Sequence, residues 1–116
     1  MPACLELPAD HPHVAVVTID RPEQANSLDP PTLAQLAAAW RRIAGDADIR
    51  CAVLTGAGDR AFCAGADVKN VGKTGLEYWA DARPNGFAGI ALRQTLDVPV
   101  IARVNGHALG GGFEAV

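Results

Sequence analysis

The residues best suited to chemistry lie near the end of the chain, in Leu109-Gly110-Gly111-Gly112-Phe113-Glu114-Ala115-Val116. A glycine inside a helix costs about 1 kcal/mol against alanine. What three glycines offer is a bare backbone that another molecule can approach closely. At a helix start the first N–H groups have no intrahelical acceptor and suit an anionic oxygen. Glu114 follows Gly111 by about one turn, so in a helix beginning near Gly111 its carboxylate shares a face with that N–H. One short segment thus combines an anion-stabilising donor with a candidate acid/base. A second small-residue loop runs from Gly56 to Lys69 and contains Ala64-Gly65-Ala66. Two tight turns are the plain reading of these loops. Their glycine and alanine content exceeds what tight turns need, and two such loops could bring two backbone N–H groups to one point, an oxyanion hole.

These loops need elements to hold them. Val14 to Ile19 is apolar and mostly β-branched, a first strand, closed by a turn at Asp20-Arg21-Pro22-Glu23. A helix follows, with Asp29 as N-cap, Pro30 in the first position and Gly45 at the stop. Leu33, Leu36, Ala37, Trp40 and Ile43 recur at helical spacing, and Arg41 and Arg42 sit where the helix dipole favours cations. Cys51 to Thr55 reads as a second buried strand. Residues 70 to 86 have no clean period and read as a mobile connection. Phe87, Ile90, Ala91 and Gln94 share one helical face, which predicts a second helix ending near Asp97. A buried strand over Val98 to Ala102 then leads to Asn105-Gly106, a pair suited to a turn with φ > 0. The alternation of strands and helices is that of an α/β fold.

Composition sets outer bounds. The 116 residues are enough for one small domain, and few aromatics leave alanine, valine and leucine to fill the core. The net charge of −3, without blocks of like charge, points away from nucleic acid and membrane surfaces. No apolar run approaches the roughly 20 residues that span a bilayer. Cys4, Cys51 and Cys63 are odd in number and form no C-x-x-C pair, so the reading is a reduced, cytoplasmic compartment with no zinc site. The N-terminus does not read as a signal peptide, since Asp10, His11 and three prolines interrupt it. The chain stops about one turn into an apparent helix, and residues 1–116 are read as the N-terminal part of a single longer domain.

Other motifs carry less. Gly56-Ala57-Gly58-Asp59-Arg60-Ala61 fits a dinucleotide fingerprint, but no amphipathic helix continues from it. Gly72-Lys73-Thr74 lacks the first glycine of a phosphate loop, which is Asp67 here. His11 and His13 have no metal-binding company. Ser27, the only serine, lacks the G-x-S-x-G of a nucleophile elbow. His107 is open to an acid/base role or to packing beside a turn, and packing is favoured.

Three blocks together resemble the crotonase (enoyl-CoA hydratase/isomerase) superfamily. The first is Asp20-Arg21-Pro22-Glu23 with Asn26-Ser27-Leu28. The second runs from Ala52-Val53-Leu54-Thr55-Gly56 through Phe62-Cys63-Ala64-Gly65-Ala66-Asp67-Val68-Lys69. The third runs from Pro99-Val100-Ile101 through Asn105-Gly106-His107-Ala108-Leu109-Gly110-Gly111-Gly112-Phe113-Glu114. The resemblance covers nearly the whole chain, and the second and third blocks are specific in combination.

It implies an α/β fold in which ββα units stack into a spiral, here incomplete because the C-terminal part is absent. It implies an acyl-CoA thioester as substrate, no separate cofactor, and trimers or pairs of trimers for the full-length protein. Ala66 and Gly111 match the two backbone oxyanion donors, which stabilise an enolate more than the ground state. Gln24, Ala25, Ala64, Ala66, Asp67, Val68 and Lys69 match positions lining the CoA site. Lys69 is open to a phosphate contact or to simple solvation, and Asp67 to a role as N-cap of a short helix. Glu114 matches the first of two glutamates that hydratases use; as a first-turn glutamate it also suits the helix dipole. The second glutamate would lie beyond Val116. Hydration of a 2-enoyl-CoA is the leading expectation. Isomerase, carnitinyl-type dehydratase and a non-catalytic acyl-CoA-binding or interaction module are the alternatives. The 116 residues alone are not expected to close a site or turn over substrate.

Overall fold

The computed structural model describes residues 2–67, 69 and 85–116. Strand β1 (Ala3–Glu6) pairs antiparallel with β2 (Val14–Ile19), and helix α1 (Pro30–Gly45) crosses to β3 (Cys51–Gly56), which lies parallel to β2. Strand β4 (Ala61–Cys63) follows directly. After a 3₁₀ turn at Phe87–Gly89 come β5 (Val100–Arg103), β6 (His107–Ala108) and the short helix α2 (Gly111–Glu114). The main sheet runs β1-β2-β3-β5, and β4 and β6 form a second, two-stranded parallel sheet. The pair β3–β4 is thus repeated by β5–β6, with each strand parallel to its counterpart. This stacking of one strand pair on the next is part of a ββα spiral.

Local chemistry explains the elements that the sequence foretold. Along β2, Ala15, Val17 and Ile19 are buried while their neighbours are half-buried, the period of two that a strand imposes. Asp29 caps α1: its carboxylate accepts the Thr32 N–H at 3.1 Å and the Thr32 hydroxyl proton, with Pro30 in the first turn. Thr32, Leu36, Ala39, Trp40 and Ile43 form the buried face of α1. Leu33 packs at its margin, and Ala39 takes the place expected for Ala37, which is half-buried.

Four expectations need correction or extension. First, β1 has only four residues and little β propensity, and it exists because β2 offers an edge; Ala3 is also tied to α1 by donating its N–H to Gln35 Oε1 at 2.8 Å. Second, β4 and β6, each three residues or fewer, lie within stretches read as loop and turn. Third, no helix spans Phe87 to Asp97. Gly86, Ala88 and Gly89 all have positive φ, so the backbone turns instead, and the Leu92 N–H donates back to the Asn85 carbonyl at 2.8 Å. The apolar spacing there follows contact with α1: the indole N–H of Trp40 donates to the Ala88 carbonyl at 2.8 Å. Fourth, Asn105-Gly106 turns without positive φ. Asn105 acts through its side chain, and Gly106 is needed because a Cβ there would lie 2.4 Å from the Arg60 carbonyl oxygen. The mobile connection expected over residues 70–86 falls almost wholly outside the described residues.

Candidate functional site

Two chain segments meet at the end of the second sheet. The first is Ala64-Gly65-Ala66-Asp67, leaving β4. It runs extended beside Leu28, whose N–H donates to the Gly65 carbonyl at 2.8 Å and whose carbonyl accepts the Asp67 N–H at 2.9 Å. Peptide groups alternate in direction along an extended chain. With Gly65 and Asp67 both bonded to Leu28, the N–H of Ala66 points the other way, and it has no acceptor among the described residues.

The second segment is the start of α2. The Gly112, Phe113 and Glu114 N–H groups donate to Leu109 and Gly110 carbonyls, whereas the Gly111 N–H has no acceptor among the described residues. The two segments are in contact. A Cβ on Gly65 would sit 3.4 Å from Gly111 N and 3.2 Å from the Leu109 carbonyl oxygen. Gly65 holds φ +102°, a left-handed region that other L-residues rarely enter, so both its backbone angle and its neighbours call for glycine.

Close approach also anchors α2 to β4. Leu109 donates its N–H to the Cys63 carbonyl at 3.1 Å, and a Cβ on Gly112 would fall 1.9 Å from that same oxygen. Any side chain at Gly112 would therefore push α2 off the sheet. Gly111 is covered by the ring of Phe87, 2.7 Å from where a Cβ would stand. The Trp40–Ala88 hydrogen bond fixes the turn carrying that ring. Burial pushes the Cys63 thiol above its ordinary pKa, against a smaller opposing hydrogen bond from the Gly65 backbone.

The remaining residues singled out from the sequence are distributed around this contact. Ala25, with φ +53°, accepts the Ala64 N–H at 3.1 Å, so the 24–25 and 64–66 segments are neighbours; Gln24 is exposed beside them. The Asp67 side chain is buried and its carboxylate pairs with the Arg21 guanidinium at 3.1 Å. It also accepts the Lys69 N–H at 3.2 Å, a capping geometry. Lys69 is exposed and Val68 lies outside the described residues. Glu114 is exposed at the end of α2. His107 is exposed in β6, where its N–H donates to the Arg60 carbonyl at 3.1 Å. Among the described residues no three His, Cys, Asp or Glu side chains gather to hold a metal ion, and no helix is long and apolar enough to cross a membrane.

Comparison with known proteins decides the family. Residues 10–116 match the model of the enoyl-CoA hydratase/isomerase family. The chain belongs to that family. It is 43% identical to the (E)-benzylidenesuccinyl-CoA hydratase of Thauera aromatica, over 98% of this chain and 43% of that protein. Among solved structures, a carnitinyl-CoA dehydratase from Mycobacterium avium 104 superposes with a TM-score of 0.79 at 41% identity, covering 97% of this chain and 41% of that one. An enoyl-CoA hydratase from Bacillus anthracis gives a TM-score of 0.80 at 35% identity, over 98% and 43% of the two chains. The chain thus spans about two fifths of the length of the relatives it matches.

Two side chains beside these loops were passed over as site residues in the sequence and are prominent here. Asn26 is fully buried, accepts the Arg21 N–H at 2.8 Å, and donates to the Ala57 and Ala61 carbonyls at 3.0 and 2.8 Å. Arg21, read as part of a turn, reaches both Asp67 and Asp29. The available signal was their place in the Asp20-to-Leu28 block; a periodicity argument sees neither.

Proposed function

We propose that the protein carrying this chain acts on an acyl-CoA thioester, adding water across the double bond of a 2-enoyl-CoA. The observation that carries the reading is the contact of Gly65 with the start of α2, which sets the N–H groups of Ala66 and Gly111, both without an acceptor among the described residues, in adjoining segments. In the proposed step, the oxygen of water bonds to the β-carbon, one of its protons is taken up by a carboxylate, and a proton is delivered to the α-carbon. Negative charge accumulates on the thioester oxygen in between. Donors fixed in advance stabilise that charge without reorganising, and losing one typically costs about 10²–10³ in rate. Glu114, on the exposed end of α2, is assigned to hold and activate the water. Ala64 and the 66–69 segment are assigned to the CoA moiety, with Gln24 and Ala25 at its adenine end. The intact protein, in which residues 1–116 form the N-terminal part of one domain, is proposed to assemble as a trimer or a pair of trimers.

Dehydration is the same step run backwards. The likeness to a carnitinyl-CoA dehydratase therefore favours a 3-hydroxyacyl-CoA as the alternative starting material. The test is hydration of crotonyl-CoA by the full-length protein, followed by loss of the conjugated thioester absorbance, with Glu114→Gln beside it. The variant is expected to lose at least about 10²-fold in kcat while still binding butyryl-CoA. A wild type that binds acyl-CoA but neither hydrates enoyl-CoA nor dehydrates its 3-hydroxy product would overturn the reading.

A further inference from the structure

The Ala66 N–H is aimed by its neighbours, since Gly65 and Asp67 are each bonded to Leu28. One side chain, that of Arg21, reaches both Asp67 and the residue before Leu28. Arg21 Nη2 donates to Asp67 Oδ2 at 3.1 Å, and Nη1 donates to the Ser27 carbonyl at 2.5 Å. The same guanidinium lies 3.5 Å from Asp29 Oδ2. The fork therefore clamps the Leu28–Ala66 bridge from the side, gripping the residue before Leu28 and the residue after Ala66. Both partners are withdrawn from water, with side chains 11% and 5% exposed. Arg21 is itself pinned: its N–H donates to Asn26 Oδ1 at 2.8 Å, and its carbonyl accepts the Asn26 N–H at 2.8 Å.

Charge points the same way. Asp67 places a buried carboxylate one residue from a donor meant for a developing anion. Like charges oppose each other strongly where water is excluded. A guanidinium on that carboxylate offsets the field that would otherwise weaken the donor. Lysine could supply the charge but not a planar fork holding two acceptors at once.

Resting on the oxyanion reading of Ala66 above, we infer that Arg21 is a positioning residue for that donor, acting through Asp67 and Ser27. It touches neither substrate nor reacting atoms. A residue needed only for stability would change Tm and leave the polarisation of a bound thioester alone; a positioning residue changes the polarisation itself.

The test uses the full-length protein with butyryl-CoA carrying ¹³C at the thioester carbonyl, a saturated probe that cannot be hydrated. Isotope-edited infrared spectra give the carbonyl band, which falls in frequency as hydrogen bonding to the oxygen strengthens. Wild type is expected to lower the band relative to free probe. Arg21→Met is expected to return it at least halfway, and to lower kcat for crotonyl-CoA about 10- to 100-fold, less than outright loss of a donor, with KM within about threefold. Arg21→Lys is expected to fall between. Arg21→Met/Asp67→Asn, which removes the buried charge as well, is expected to recover part of the band shift. Should Arg21→Met not fold, Asp67→Asn alone decides, because it removes the carboxylate of the ion pair while keeping Arg21 and the side-chain shape; an unchanged band and kcat there overturn the inference. A folded Arg21→Met with wild-type band and kcat overturns it as well. If wild type itself leaves the band at the free frequency, the oxyanion reading falls and the inference with it, a result distinct from a wild-type shift that survives in the variants.

Discussion

The two segments proposed to supply the donors are built differently. The 64–67 segment is held along both sides, by Leu28 on one flank and by Arg21 at its far end, and Gly65 and Asp67 are buried within it. Helix α2 has one buried residue, Gly112, and is attached through backbone contact with Cys63 and the ring of Phe87. Leu109, Phe113 and Val116 stand exposed around it. Side-chain chemistry thus secures the first segment, and the absence of side chains secures the second. Perturbation should accordingly act through lost hydrogen bonds and charge in one, and through added bulk in the other.

The largest effect is expected from bulk at α2. Gly112→Ala would place a methyl group 1.9 Å from the Cys63 carbonyl oxygen, which is backbone and cannot swing aside. The cost should reach or exceed about 3 kcal/mol, the upper end for overpacking, measured by denaturant unfolding of the full-length protein. The matching change in the other segment, Gly65→Ala, meets its nearest atom at 3.2 Å and suffers mainly from φ +102°, for about 1–3 kcal/mol. Equal losses, or a larger loss at Gly65, would break the contrast.

A smaller effect should follow from loosening the support behind α2. Trp40 is fully buried, and its indole N–H is the partner of the Ala88 carbonyl at 2.8 Å. Trp40→Phe keeps an aromatic ring and removes the donor, leaving a buried carbonyl unpaired at a cost of about 1–3 kcal/mol. Because the adjacent Phe87 covers Gly111, hydrogen exchange in residues 87–92 and in α2 should rise in this variant while that of residues 64–67 stays as it was. Parallel loosening of both segments would show that they are not independent.

What could be read from the sequence divides along the same line. Helix α1 and strands β2 and β3 were legible because burial writes a period into side chains: Ala15, Val17 and Ile19 alternate, and Leu36, Trp40 and Ile43 recur by turns. Strand β5 was legible from its apolar run, but it is not the buried strand expected: none of its residues is buried and Ile101 is 54% exposed. The glycine run was legible as an anomaly, since nothing in ordinary helix chemistry accounts for it. The family resemblance, carried on three blocks, anticipated the ββα arrangement that individual elements did not disclose. Strands β4 and β6 were invisible because two or three residues cannot show a period. The turn at Phe87–Gly89 was misread because a segment packed on Trp40 can be apolar at helical spacing without being a helix. Arg21 escaped notice for another reason. Its buried partner Asp67 lies 46 residues along the chain, and no local pattern announces such a contact.

The smallest effect belongs to Asp29, at the margin of the better-held segment. Burial acts to raise the pKa of its carboxyl, but hydrogen bonds from the Thr32 hydroxyl and backbone, with the charge of Arg21, outweigh it and leave the value below the ordinary one. A carboxylate whose pKa is depressed by folding contributes stability that is fully present above its unfolded value, about 3.9, and is lost as pH falls through the folded value. Asp29→Ala should therefore cost about 1 kcal/mol near neutral pH, as the loss of a helix cap does, and the gap to wild type should narrow below about pH 4. Denaturant midpoints for both proteins at pH 7 and about pH 3 measure that gap. A gap that widened in acid would mean that Asp29 is stabilised in its protonated form, and that the Thr32 hydrogen bonds and Arg21 do not govern this corner. A gap that narrows while the thioester polarisation of the full-length protein stays constant would separate the cap from the clamp: Asp29 would hold the helix, and Arg21, through Asp67, the donor.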